Sequence, residues 1–177
     1  MLDVIACHKR VTKLSYPTAM NILVLCADNS ARSILLEAIL NEHSEGRVRA
    51  FSAGSRPADH VHPQSLVHLN ALDYDTSRAR SKSCDEFATY DAPIIDIVIS
   101  VCGTTTNNTH PTWPGDPVQA YWDVADPTAA TQPEWPAAFA DAYDILQRRA
   151  DAFLKHPIET MDPGALHAHL NRVGQLL

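Results

Sequence analysis

Cys26, Arg32 and Ser33 form the spacing with the clearest chemical meaning in this chain: a cysteine, five residues, an arginine and a serine. They lie between an apolar run, Met20-Asn21-Ile22-Leu23-Val24-Leu25, and a run of helix formers that begins at Ile34. The intervening Ala27-Asp28-Asn29-Ser30-Ala31 is long enough to fold around an anion, turning successive backbone N–H groups inward and ending on a helix N-terminus. The same amides and helix dipole are expected to depress the Cys26 pKa and make it a thiolate nucleophile. Arg32 adds a planar fork that matches two oxygens of a tetrahedral oxyanion, a task an ammonium does less well. Ser33 can hydrogen-bond the sulfur, and Asn29 can stiffen the loop. A nucleophile attacking a hydroxylated oxyanion also needs a proton donor for the leaving oxygen. Asp126-Pro127 is the candidate, because Pro127 biases Asp126 toward extended backbone that can point its carboxyl at the loop.

The surrounding pattern is one of strands alternating with helices. Met20–Cys26 reads as a short buried strand, and Ile34–Asn41 as a helix with Leu35, Leu36, Ile39 and Leu40 on its inner side. Arg47–Ser52 alternates polar and apolar residues as a half-buried strand does, closed by Ala53-Gly54-Ser55. A helix over 63–72 is expected to turn Leu66, Val67, Leu69 and Leu72 inward. Asp96–Cys102 is the strongest strand, nearly continuous and β-branched. A turn-rich loop runs from Gly103 to about Gln119, then a short last strand over Tyr121–Val124. Helices are expected over Trp135–Leu154 and from Asp162-Pro163 to Val173, since proline suits the first helical turn. Such alternation gives right-handed βαβ units and a small parallel sheet, with ligands beyond the carboxyl ends of the strands. Cys26, Cys102 and the Asp126 loop all follow strands, so all three could meet at that edge.

The chain has 177 residues, and its 14 Lys+Arg against 21 Asp+Glu give a net charge of −7, which argues against binding nucleic acid through phosphates. No stretch approaches the ~20 apolar residues of a membrane span. Four cysteines, Cys7, Cys26, Cys84 and Cys102, show no metal-finger spacing and are too few for a disulfide scaffold, so a cytoplasmic protein with reduced thiols is expected. Residues 1–19 lack the features of a secretory signal. They are a leader of doubtful role, either dispensable, with Met20 the start, or an ordered extension over a sheet edge. Residues 20–177 are expected to form one domain.

Ile22–Cys26 through Asn29–Ser33, then Ser52-Ala53-Gly54-Ser55 and Arg80-Ser81-Lys82-Ser83, resemble the low-molecular-weight protein tyrosine phosphatase family. Val101-Cys102, Trp113-Pro114-Gly115, Tyr121-Trp122 and Asp126-Pro127 are similar to its arsenate reductase branch. The resemblance implies a three-layer α/β/α, flavodoxin-like fold with about four parallel strands. It also implies a Cys26 nucleophile, an Arg32 clamp within an oxyanion-binding loop of residues 27–33, an Asp126 acid and a resolving thiol at Cys102. Phosphatase and reductase share their first step. In the reductase, a second thiol then attacks the Cys26 sulfur and releases arsenite as a disulfide forms. Where tyrosine phosphatases carry aromatic residues after Asp-Pro, this chain has Thr128-Ala129-Ala130, which favours a small inorganic anion, arsenate or phosphate.

Three departures shape the expectations. Thioredoxin-coupled relatives place another cysteine before a proline to carry the disulfide outward; the matching step here is His110-Pro111. The electron donor is therefore either thioredoxin or a glutathione and glutaredoxin system, with no bound cofactor, and Cys84 is the possible but less favoured substitute thiol. Asp28 puts a carboxylate near an anion site, tolerable if it points to water or pairs with a cation. Some relatives hold potassium behind the loop. Asn29, Glu37 and Ser52 match its ligand positions, but Lys82 lies near the remaining one and can supply the charge itself. No metal site is expected: His60, His62, His167 and His169 read as solvated surface, and Trp113, Trp122 and Trp135 as packing residues. A monomeric arsenate reductase is the leading reading. A tyrosine or small-phosphoester phosphatase is the alternative, and a non-catalytic oxyanion sensor a second one.

Overall fold

The structure, a computed structural model, describes residues 19–103 and 111–177. The expectations for the leader before Ala19 and for His110 lie outside the described residues. Four strands, β1 (Met20–Cys26), β2 (Val48–Gly54), β3 (Ile97–Ser100) and β4 (Val118–Tyr121), form one parallel sheet in the order β2-β1-β3-β4. Four helices accompany them: α1 (Arg32–His43), α2 (Pro63–Ala71), α3 (Trp135–Leu154) and α4 (Pro163–Val173). This is the expected α/β fold.

The alternation of β1 divides the core into two. Ile22, Val24 and Cys26 join Ile97, Ile99 and the buried residues of all four helices, including Leu35, Leu69, Phe139 and Leu170. Leu23 and Leu25 face the other way, onto Ala53, Cys84, Phe87, Ile95, Val98 and Trp113. That second face is closed by a short 3-10 helix, Cys84–Phe87, and the segments around it. Burial at roughly 25 cal/mol per Å² of apolar surface is the main force holding both layers.

Register differs from the sequence expectation at three strand ends. β2 extends to Gly54 because Ala53 and Gly54 pair with Leu25 and Cys26. β3 stops at Ser100, although Val101 still donates its N–H to Leu25 O at 2.9 Å. The last strand lies three residues earlier than expected: Ile97–Ser100 pairs with Val118–Tyr121, while Trp122 and Val124 follow as buried, non-ladder residues. Of the four expected residues only Leu66 and Leu69 turn inward; Val67 is exposed because it follows Leu66 by about 100° of helical turn, and Leu72 because it is the non-helical C-cap beyond the end of α2. The indole of Trp122 donates to Leu170 O at 3.0 Å and fixes α4 against the end of β4.

β1 is central, β2 leaves to one side and β3 to the other, so the strand order reverses at the carboxyl end of β1. Parallel α/β sheets hold ligands at such a reversal. Cys26 ends β1 and Cys102 lies just past β3.

Candidate active site

The loop from Cys26 to Arg32 is pinned from outside by its carbonyls. Ala27 O accepts from Arg56 N at 2.9 Å, Asp28 O from Ala58 N at 2.8 Å, and Ser30 O from His62 N at 2.9 Å. In a planar trans peptide the C=O and the next N–H point in opposite directions. The N–H groups of Asp28, Asn29 and Ala31 are therefore aimed to the inside of the loop, and that of Asp28 reaches the Cys26 sulfur. Ala31 caps α1 without a side-chain hydrogen bond, leaving first-turn amides of the helix available as well.

Asn29 holds the loop from beneath. It is fully buried with φ 45°, a left-handed conformation that asparagine tolerates better than most residues. Its Nδ2 donates to Ser33 Oγ (2.9 Å) and Ser52 Oγ (2.8 Å), and its Oδ1 accepts from Lys82 N (2.8 Å). Ser33 is thus engaged with Asn29. Gly54 has no alternative here: a Cβ on it would lie 2.5 Å from Ala27 O and 3.1 Å from Asn29. Asp28 is exposed, the orientation in which its carboxylate does least harm to an anion site.

Lys82 lies behind this layer, only 7% exposed. Its Nζ donates to Arg80 O (3.1 Å), Glu37 Oε2 (3.3 Å) and Ser52 Oγ (3.4 Å), while Ser52 Oγ also bonds Glu37. Two of the expected potassium ligands, Glu37 and Ser52, bond this ammonium instead, and the third, Asn29, gives its Oδ1 to the Lys82 backbone N–H. These residues do not fit a second cation.

Arg32 Nη2 meets Asp126 Oδ2 at 2.7 Å and Nη1 donates to Val124 O at 2.9 Å. Arg32 Nε is buried without a hydrogen-bond partner among the described residues, a donor suited to an oxyanion. Asp126 caps its own turn, with Oδ1 accepting from Thr128 N (3.0 Å) and Oγ1 (2.8 Å). The extended backbone of Asp126 before Pro127 gives it this direction.

Cys26 and Cys102 are both buried free thiols in one cluster, and they hydrogen-bond to each other. The expected depression of the Cys26 pKa is not observed. Its hydrogen bond to Cys102 and its burial hold the thiol well above the usual range, against the pull of Arg32 and the Asp28 amide. The two sulfurs are neighbours, and part of the Arg32 charge faces Asp126. Cys84 is not brought to the pair: it lies in the other core cluster, and burial raises its pKa too.

Two histidines depart from the expected solvated surface. His169 is buried, stacked on Phe153 with Nε2 3.2 Å from Phe153 O. His62 is half-buried at the start of α2, stacked on Phe139 (4.9 Å between ring centroids) and edge-on to Trp135 (4.6 Å). The sequence signal for His62 was the residue before Pro63, the position of a helix N-cap. His60 and His167 are exposed.

A cysteine-arginine anion loop at the switch point of a four-stranded parallel sheet defines a class, and residues 21–162 match the family described as low molecular weight phosphotyrosine protein phosphatase. The match spans most of the chain, and the protein belongs to this family. Among curated relatives, the glutaredoxin arsenate reductase of Synechocystis sp. (strain ATCC 27184 / PCC 6803 / Kazusa) is 26% identical over 106 residues, 60% of this chain and 77% of that protein. A solved structure described as an arsenate reductase in the phosphate binding state aligns with TM-score 0.63 at 23% identity, covering 77% of this chain and 97% of the other. The thioredoxin-dependent arsenate reductase of Corynebacterium glutamicum aligns with TM-score 0.56 at 23% identity, covering 81% of this chain and 63% of the other. At these identities the structural likeness is one of fold. Among the described residues no helix is long and apolar enough to cross a membrane.

Proposed function

We propose that this protein is an arsenate reductase in which Cys26 is the nucleophile, Arg32 and the loop amides of residues 27–33 bind the oxyanion, Asp126 is the acid and Cys102 the resolving thiol. The observation that carries the reading is the hydrogen-bonded Cys26–Cys102 pair beside the Arg32–Asp126 ion pair. A phosphatase needs one thiol; a second hydrogen-bonded to it supports a redox step. The name of the Synechocystis relative adds to this support.

In the first step Arg32 turns part of its fork to the arsenate oxygens, and the Cys26 sulfur attacks arsenic. An As–S bond forms, an As–O bond breaks, and Asp126 delivers a proton to the leaving oxygen, which departs as water. The Cys26 thiol proton passes to the Asp126 carboxylate and from there to the leaving oxygen, so the step is proton-neutral. In the second step the Cys102 sulfur attacks the Cys26 sulfur. The S–S bond forms, the As–S bond breaks with its electron pair left on arsenic, the Cys102 proton passes to an arsenite oxygen, and arsenic(V) becomes arsenite as two thiols become a disulfide. An external thiol of the thioredoxin or glutaredoxin and glutathione type returns the two electrons. Lys82 supplies the fixed cation that holds Glu37, Ser52 and, through them, Asn29 beneath the loop.

Mass spectrometry after a single arsenate turnover tests this. A Cys26–Cys102 disulfide with one equivalent of arsenite is the expected result. Release of phosphate from phenyl phosphate with no disulfide after arsenate would instead assign a phosphatase, and neither product a sensor. Cys102→Ser is expected to abolish arsenite release while sparing any phosphatase activity; full reductase turnover in that variant would remove Cys102 from the mechanism.

A further inference from the structure

We propose that His62 is a positioning residue that joins the anion loop to the Asp126 turn through a neutral imidazole. The inference rests on the assignment of Asp126 as the acid and adds a residue to that machinery. Three contacts carry it. The backbone N–H of His62 donates to Ser30 O at 2.9 Å, inside the loop. Its ring lies edge-on to Trp135, whose indole N–H donates at 3.0 Å to Ala130 O, in the turn that Asp126 opens. Its Nδ1 accepts from Gln64 N at 3.1 Å and so caps α2.

The last contact sets the protonation state. An Nδ1 that accepts a hydrogen bond must be unprotonated, so the ring proton is on Nε2. A second proton would turn Nδ1 into a donor facing the Gln64 N–H, and the cap would be lost. Packing against Trp135 and Phe139 works in the same direction: desolvation lowers the affinity of His62 for that proton. Asp126 is the charged group that opposes it. By reciprocity, a proton on His62 stabilises the Asp126 carboxylate against the protonated form that an acid requires. Neutral His62 therefore keeps the loop, α2 and the Asp126 turn in register, while a charged His62 releases α2 and favours the wrong form of Asp126.

The test follows the His62 ring by NMR titration in the full chain, with a blocked histidine peptide in the same buffer as the reference. His62 is expected to titrate below that peptide, and Asp126→Asn to lower its midpoint further, since the opposing carboxylate is gone. A His62 midpoint equal to that of the peptide and unmoved by Asp126→Asn overturns the proposal, whatever reaction the enzyme catalyses. The second readout is the pH profile of the first step in His62→Asn, which retains a capping acceptor and cannot titrate. This variant is expected to lose several-fold in kcat at neutral pH, with KM for the oxyanion within about twofold. Its fall in rate on the acid side should be shallower than in the wild type. A profile superimposable on the wild type, or a loss confined to KM, overturns the positioning role. If the chain proves to be no arsenate reductase, the titration still decides whether His62 and Asp126 are coupled.

Discussion

Replacing Cys102 by alanine should make Cys26 more acidic and more reactive. The Cys102 sulfur is the largest cause of the raised Cys26 pKa; burial comes next, and Arg32 and the Asp28 amide oppose both. A protein hydrogen bond contributes about 0.5–1.5 kcal/mol net. At 1.36 kcal/mol for each tenfold in ionisation, removal of the Cys102 partner raises the Cys26 thiolate fraction roughly two- to tenfold at any pH below the midpoint. A less basic thiolate is a weaker nucleophile, with a Brønsted slope of about 0.4–0.5, so the alkylation rate itself should rise about two- to fourfold. The sign is fixed: a raised pKa means that thiolate is gained as pH rises, and Cys102→Ala displaces the whole rate curve to lower pH. The assay is iodoacetamide alkylation of Cys26 between pH 6.5 and 8.5, read by peptide mass spectrometry so that Cys84 is scored separately. Arg32→Met should move the curve to higher pH. An unchanged or slower Cys26 rate in Cys102→Ala would show that the two thiols do not interact, and the redox reading would lose its main support.

Other outcomes follow from the layers around the pair. Lys82→Met leaves the Glu37 carboxylate, 24% exposed, without its ammonium and should cost about 2–4 kcal/mol in urea unfolding; a loss under 0.5 kcal/mol would remove Lys82 from the loop's foundation. With Lys82 present, turnover in potassium and in sodium salts of equal ionic strength should agree, and a clear potassium activation would contradict the arrangement. Gly54→Ala drives a Cβ into Ala27 O, so phosphate binding by calorimetry should weaken at least tenfold, with about 1–3 kcal/mol of stability lost; retained affinity would mean that the loop yields freely. Asp28→Asn removes an exposed carboxylate near the anion and should leave kcat/KM unchanged or modestly higher, whereas a collapse in turnover would give Asp28 a positive role.

Much of this molecule was legible in its residues because it depends on local chemistry. The Cys26-x5-Arg32 spacing, the buried run before it and the helix formers after it dictate a strand, an anion loop and a helix within one short stretch. Proline at the start of α2 and α4 marked their N-termini, and Asp162 caps α4 through Ala165 N at 2.9 Å. Strand ends were less legible, because pairing at Gly54 or Val118 depends on a neighbour distant in sequence. The same is true of Val67, which the helix rotates to solvent, and of Leu72, which is left beyond the helix end.

What the sequence determined by itself is therefore the kind of site: a thiol, a guanidinium and a carboxyl at the ends of parallel strands. The tertiary structure decided how their charges are shared. It set Cys102 against Cys26, and two neighbouring sulfurs with burial raise a pKa that the loop alone would lower. It paired Arg32 with Asp126, brought Lys82 beneath Asn29 and packed His62 against Trp135. Those outcomes arise from distances between residues far apart in the chain. Electrostatic interactions and desolvation depend on such distances, and spacing along the sequence does not contain them.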